Sequence, residues 1–279
     1  MKAETYGSPF PGLTEKEFPG KLIALEGTDG VGRSTQAQLV KRWLESSGLA
    51  VFDTGFTRSV LAGQHIQEAK QGHTMGRETQ CLFYATDFAD RIENQVIPAL
   101  RAGFVVLTDR YIYSLIARSA VRGLDREWLK RLYGFALKPE AIFYLKPTLE
   151  ALVPRVLASG GFDYWESGMD IFHERTMYEA FVKYQSLLLA EYDRLSAEYN
   201  GTVIDATCSV SEVFGELKRG IAPVVADMVP GSVDIARLVD QAPMMTGPRD
   251  YEDNEAPVGE EKTSMLDALK AFLSEFMEK

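Results

Sequence analysis

With 279 residues, 46% of them hydrophobic, the chain has material for one generous domain or for a compact domain with extensions. A formal net charge of −10 argues against nucleic acid and anionic membrane surfaces as partners, and no basic run is long enough to override it. No stretch of roughly eighteen apolar residues occurs, residues 1–20 lack a secretory apolar core, and two cysteines, Cys81 and Cys208, make no disulfide framework; the expected location is the cytoplasm.

In chain order, residues 21–26 (KLIALE) are an apolar run of strand length that ends at a glycine-rich turn. Residues 34–47 follow in helical period, with Leu39, Val40, Trp43 and Leu44 on one face and Gly48 as the stop. Leu49–Phe52 is a second expected strand. Thr79–Leu100 reads as a long helix, with a kink or local irregularity expected near Pro98. Phe104–Leu107 and Ala141–Leu145 are the third and fourth strands, Ile171–Tyr199 a long helix, and Thr202–Ile204 the fifth strand. Strands alternating with helices require crossover connections, which predicts an α/β fold: a five-stranded parallel sheet with helices on both faces. Beyond residue 220 the texture changes. Residues 243–263 are rich in Pro, Gly and acids and read as a linker, and residues 264–278 return to a short amphipathic pattern, either a terminal helix docked on the body or a partner-binding helix. The expected organisation is an extension at 1–20, the main domain at 21–220 and a second extension at 221–279.

The first turn carries the strongest chemical signal. Gly27, Thr28, Asp29, Gly30, Val31, Gly32, Arg33, Ser34 and Thr35 have the spacing of a Walker A phosphate loop, with arginine where lysine is expected. Glycines let successive backbone N–H groups turn inward around an anion, and the following helix aims its positive end at the same place. Ser34 or Thr35 offers a hydroxyl to Mg²⁺ bridging the phosphates of ATP. Arg33 keeps the charge of lysine and changes its geometry, from a compact point to a planar fork. Slower transfer, a shifted phosphate, and binding without efficient turnover all remain open.

Asp109, Arg110 and Tyr111 follow the third strand directly. At the carboxyl end of a central strand such a pair points into the crevice where ligands bind, or it caps the sheet edge. In the crevice, Asp109 would orient Mg²⁺ and Arg110 would clamp a phosphate through two parallel hydrogen bonds. Asp29 holds metal-bound water, contacts an acceptor, or bonds its own turn. Arg58, after the second strand, is a second phosphate clamp or a surface arginine. His65, His73 and His173 show no metal-ligand spacing with cysteine.

The segments EGTDGVGRSTQ, TRS, LFYATD, DRYIYS, FHER and VIDAT occur in the order found in thymidylate kinases, and over about residues 21–220 the chain resembles that family. The resemblance implies a P-loop kinase that uses ATP and Mg²⁺ to phosphorylate a nucleoside monophosphate, most readily dTMP, often as a homodimer. Residues 27–35 would hold the ATP phosphates, with Asp29 facing acceptor and metal. Arg58 would grip the acceptor phosphate and Tyr84 stack on the base. Asp109 and Ser34 would organise the metal, Arg110 and Tyr111 would hold the acceptor, and Ser114 would lie near base or sugar.

The chain departs from the pattern at three places. Phe88 stands where relatives carry a base-reading arginine, Ser119 stands near an expected glutamine, and residues 157–170 contain no Arg or Lys where many relatives have a lid arginine. These departures leave open a kinase with another acceptor, or a nucleotide-binding regulatory protein with little turnover. The aromatic residues Phe162, Tyr164 and Trp165 mark either a mobile lid or an ordinary packed loop.

Overall fold

Five short strands form the spine: β1 (Lys21–Gly27), β2 (Val51–Gly55), β3 (Val105–Asp109), β4 (Ala141–Lys146) and β5 (Thr202–Asp205). All pair in parallel, in the order β2-β3-β1-β4-β5. The computed structural model describes residues 1–10, 13–72, 75–172 and 176–231. The expected linker at 243–263 and helix at 264–278, three residues of FHER, and His73 and His173 lie outside them.

The central strands β1 and β3 are buried on both faces, so their successive residues serve opposite cores. Leu22, Ala24, Val106 and Tyr144 face one apolar cluster, completed by α3 (Arg77–Arg91), α5 (Ile112–Val121) and α8 (Met177–Glu198). Ile23, Leu25, Val105, Leu107, Phe143 and Leu145 face the other, covered by α1 (Arg33–Ser46) and α9 (Val210–Ile221). The result is the expected three-layer α/β architecture. Its register sets Asp109 beside Leu25 of β1 and Gly55 of β2, so the ends of the three neighbouring strands open onto one crevice.

Several boundaries differ from the sequence pattern, for local reasons. The second strand begins at Val51 and runs to Gly55, because its partner is β3 and pairing starts at Val51↔Val105. The long helix around Pro98 is three pieces: α3, a wide π turn at Ile92–Val96, and α4 (Ile97–Ala102). Pro98 has no N–H to give the carbonyl four residues back, and the ladder widens just before it. The helix expected from Ile171 begins at Met177, where Thr176 and Glu179 form a reciprocal capping box. Sequence periodicity did not resolve α2 (Gly63–Gln71), α5, α6 (Arg126–Leu132), α7 (Leu149–Ala158) or α9, most of which run only two to three turns.

Residues before β1 pack on the body. Phe18 is buried in the first cluster, Thr5 bridges to Leu137, and the Tyr6 and Tyr113 hydroxyls lie 2.5 Å apart. Among the described residues, no helix is long and apolar enough to cross a membrane.

Candidate active site

β1 delivers the chain into the phosphate loop and α1 takes it away. Gly30 (φ 75°) and Gly32 (φ 93°) hold left-handed backbone that other residues resist. A Cβ on Gly30 would in addition meet Val156 Cγ2 at 2.5 Å. Val31 anchors the loop by its burial in the second cluster, and Thr28 is fully buried beneath it. No side chain caps the first turn of α1, so its N–H groups are left for an anion, with exposed Ser34 and Thr35 beside them.

Arg33 does not extend freely over this loop. One terminal nitrogen donates to the Gly27 carbonyl at 2.5 Å and to the Thr28 carbonyl at 2.7 Å, and Nε donates to Asp109 Oδ1 at 2.5 Å. The planar fork thus ties the base of the loop to the end of β3 through two separate nitrogens, where a lysine would have a single one. Ser34 Oγ donates to the second Asp109 oxygen at 2.9 Å. A hydroxyl and a carboxylate, both hard oxygen donors, therefore meet where β3 and α1 converge. No group of three or more His, Cys, Asp or Glu among the described residues is placed to hold a metal. A sparse oxygen set suits Mg²⁺, which keeps most of its waters.

Asp29 carries a second ion-pair cluster. One carboxylate oxygen takes Arg110 and the other takes Arg118 from α5. Arg110 holds a positive φ of 76°, a conformation rare outside glycine, and is fixed there by its N–H on Leu25 O and its carbonyl under the Thr108 hydroxyl. Burial, and then the neighbouring Arg118, lower the Arg110 guanidinium to about 10, which leaves it charged at neutral pH.

Arg58 reaches the crevice from the turn after β2. It is half-exposed and pairs with Asp53 at 3.3 Å. The turn itself hangs on Asp87 of α3, whose carboxylate accepts the N–H groups of Thr57 (3.1 Å) and Ser59 (3.0 Å) and pairs with Arg91 (3.0 Å). Half-buried Tyr84 is tilted against Phe56, ring centroids 5.8 Å apart, and both line a cleft of about 600 Å³ with Asp29, Arg33, Arg58 and Arg110.

The structure thus brings Asp29, Arg33, Arg58, Tyr84, Asp109 and Arg110 to one cleft beside the loop. It does not bring Phe88, Tyr111 or Ser114 there. Phe88 is fully buried among Tyr111, Tyr133 and Phe135, so it replaces the expected base-reading side chain with core packing. Tyr111 is buried with its hydroxyl donating to Leu137 O at 2.9 Å. Ser114 is buried on Glu26 and Tyr192. Glu26, enclosed beneath the loop, is raised to about 7 by burial, opposed by the Ser114 hydroxyl and the Tyr111 N–H.

The segment read as a lid or a packed loop is fastened at its centre. Trp165 is buried and its indole donates to Lys70 O at 3.0 Å; Arg122 holds Asp170 with two nitrogens and the Trp165 carbonyl at 2.9 Å. Sequence reasoning missed Arg118 and Lys70, which also line the cleft. The signal for Arg118 was its spacing: Ser114, Arg118 and Arg122 recur every four residues on one face of α5.

A family profile described as "Thymidylate kinase" matches residues 25–216. A protein named "Probable thymidylate kinase 2" from Saccharolobus solfataricus is 39% identical over 202 residues, 72% of this chain and 94% of its own length. A "Thymidylate kinase" from Clavibacter sepedonicus is 38% identical over 215 residues, 74% of this chain and 97% of its own. The matched span contains the phosphate loop, the Arg58 turn, Tyr84 and the Asp109–Arg110 pair, and on these grounds the chain belongs to the thymidylate kinase family of phosphotransferases.

Proposed function

We propose that the chain transfers the γ-phosphoryl group of ATP to dTMP. The observation that carries this reading is the convergence of the uncapped phosphate loop with Asp29, Arg58 and Arg110 in one cleft. The loop N–H groups and the α1 N-terminus bind the donor phosphates. Arg58 and Arg110 hold the acceptor phosphate, whose own oxygen is the nucleophile, so no side chain needs to attack. Arg33, at the loop's edge, stabilises charge that develops between donor and acceptor. Asp109 and Ser34 would hold Mg²⁺, which when bound neutralises charge on the phosphate oxygens. Tyr84 offers its ring to the base. Homodimer formation belongs to the same proposal, and exposed Leu61 and Leu82, flanking one groove between α2 and α3, supply an apolar surface for it.

The test is ADP release from Mg-ATP with dTMP, dUMP, dCMP, dGMP and AMP supplied singly. Preferential turnover of dTMP supports the proposal; preference for another acceptor keeps the chemistry and replaces the substrate. A second reading, nucleotide binding with little turnover, draws on Arg33, whose three hydrogen bonds hold it on the protein. Activity that appears only in Arg33→Lys would favour it.

A further inference from the structure

The cleft continues past Tyr84 into a narrow cavity. The two share Phe56, Lys70, Tyr84 and Arg118, so they are two ends of one space. The first end carries the phosphate-binding arginines, and the second is lined by Gln80, Cys81, Leu115, Ser119, Arg122 and Trp165. A nucleoside monophosphate with its phosphate on Arg58 and Arg110 and its ring along Tyr84 directs its base into that second end.

Most polar groups there are already committed. Arg122 is spent on Asp170, Tyr184 and two carbonyls. The Trp165 indole is on Lys70 O, and the Cys81 thiol is engaged by Ser119 and Tyr133. Gln80 differs. Its residue is only 8% exposed, and its carboxamide lines the cavity without a side-chain hydrogen bond to another described residue. A carboxamide that opens on a cavity and makes no side-chain hydrogen bond to the protein keeps both its donor and its acceptor for a ligand. Arg118 adds a second feature of the same cavity, because its Nε is buried without a partner.

We infer that Gln80 is the base-reading residue of this kinase, doing through a carboxamide what the side chain at Phe88 cannot. One amide face presents a donor and an acceptor side by side, the complement of the N3–H and O4 of an oxopyrimidine. The amide can turn over, so it alone does not reject cytosine. Lys70 and Arg118 supply that bias: both are donors only and line the same cavity, a field that suits a base with two carbonyls better than one with an amino group. This inference rests on the dTMP reading above.

The experiment compares wild type with Gln80→Ala, using dTMP and N3-methyl-dTMP at saturating Mg-ATP, and ATP affinity as the check on folding. In wild type the methyl group removes the N3 donor and collides with the amide; in the variant it has room. The expected result is a KM for dTMP raised about ten- to a hundredfold in Gln80→Ala with kcat within about threefold. The preference for dTMP over N3-methyl-dTMP collapses in parallel, and ATP binding is unchanged. An active wild type that uses both acceptors equally overturns the role of Gln80 and leaves the dTMP reading intact, as does an unchanged KM in the variant. A wild type that binds ATP and neither binds nor phosphorylates dTMP overturns both. Should Gln80→Ala lose ATP binding, Gln80→Met keeps the volume, and its KM decides in the same way.

Discussion

Asp87 controls the acceptor side without touching the cleft, and its removal has a magnitude that the structure fixes. Its carboxylate pairs with Arg91, both side chains being only 1% exposed, and accepts the N–H groups of Thr57 and Ser59. Removing one member of a buried ion pair costs about 3–5 kcal/mol, because the other charge is left uncompensated. Arg91 already has one terminal nitrogen without a partner, so it has little alternative bonding to fall back on. Two backbone N–H groups lose their acceptor in the same step, a penalty that overlaps the first, since both concern one small buried space. Asp87→Ala is therefore expected to lose ~4 kcal/mol. At roughly 2–4 °C per kcal/mol for a body of this size, the thermal midpoint falls by ~8–16 °C. The turn that presents Arg58 relaxes as well, so KM for the acceptor nucleotide rises about tenfold while KM for ATP stays put. Calorimetry and steady-state kinetics on the same preparation measure both. A stability loss under ~1 kcal/mol with unaltered acceptor KM would refute the assignment of Asp87 as the anchor of that turn.

Arg33→Ala removes the cation between loop and Asp109; kcat is expected to fall ~100-fold or more, and a loss smaller than tenfold in a single-turnover assay would confine Arg33 to a structural role. Gly30→Ala forces a Cβ onto Val156 at a positive φ, which lowers stability by ~1–2 kcal/mol and weakens ATP binding, as calorimetric titration would register. Glu26, raised to about 7, binds its proton more tightly folded than unfolded, so its contribution is full below the unfolded value near 4.5 and is lost as pH climbs through 7. That change is on the order of 3 kcal/mol. Denaturant midpoints from pH 4.5 to 8 should decline in wild type and flatten in Glu26→Gln; parallel curves would exclude Glu26 as the titrating group.

The parts of the molecule legible in the sequence were those governed by local rules. Buried parallel strands read as apolar runs, and the phosphate loop read as glycines between a strand and a helix, because both patterns follow from backbone sterics. Arg58, Asp109 and Arg110 were found because each lies at the end of a strand or within one turn of it, and strand ends converge by topology. Side-chain direction was not legible in the same way. Tyr111 and Ser114 sit in the right segment, but one turns to Leu137 and the other to Glu26, and no spacing rule distinguishes those rotamers from ones that face the cleft. Arg118 and Gln80 flank the DRYIYS and LFYATD segments without belonging to them, so the motifs did not single them out; the packing of α3 and α5 is what brings both to one cavity.

The charge arrangement carries one more consequence. Each guanidinium at the cleft's phosphate end has an internal carboxylate: Arg33 has Asp109, Arg58 has Asp53, and Arg110 and Arg118 share Asp29. Four guanidinium groups packed together without anions would repel one another and lose hydration, so the carboxylates are what permit them to stand ready in so small a space. On the proposed function, an acceptor phosphate would enter by exchange, taking hydrogen bonds that Asp29 holds in the free chain. Binding by exchange gains less than binding to bare cations, which favours a modest ground-state affinity. The same exchange would set Asp29 free beside the bound nucleotide, where its carboxylate would accept from a sugar hydroxyl or from metal-bound water. The residue that restrains the arginines before binding would thereby be available to orient the acceptor after it.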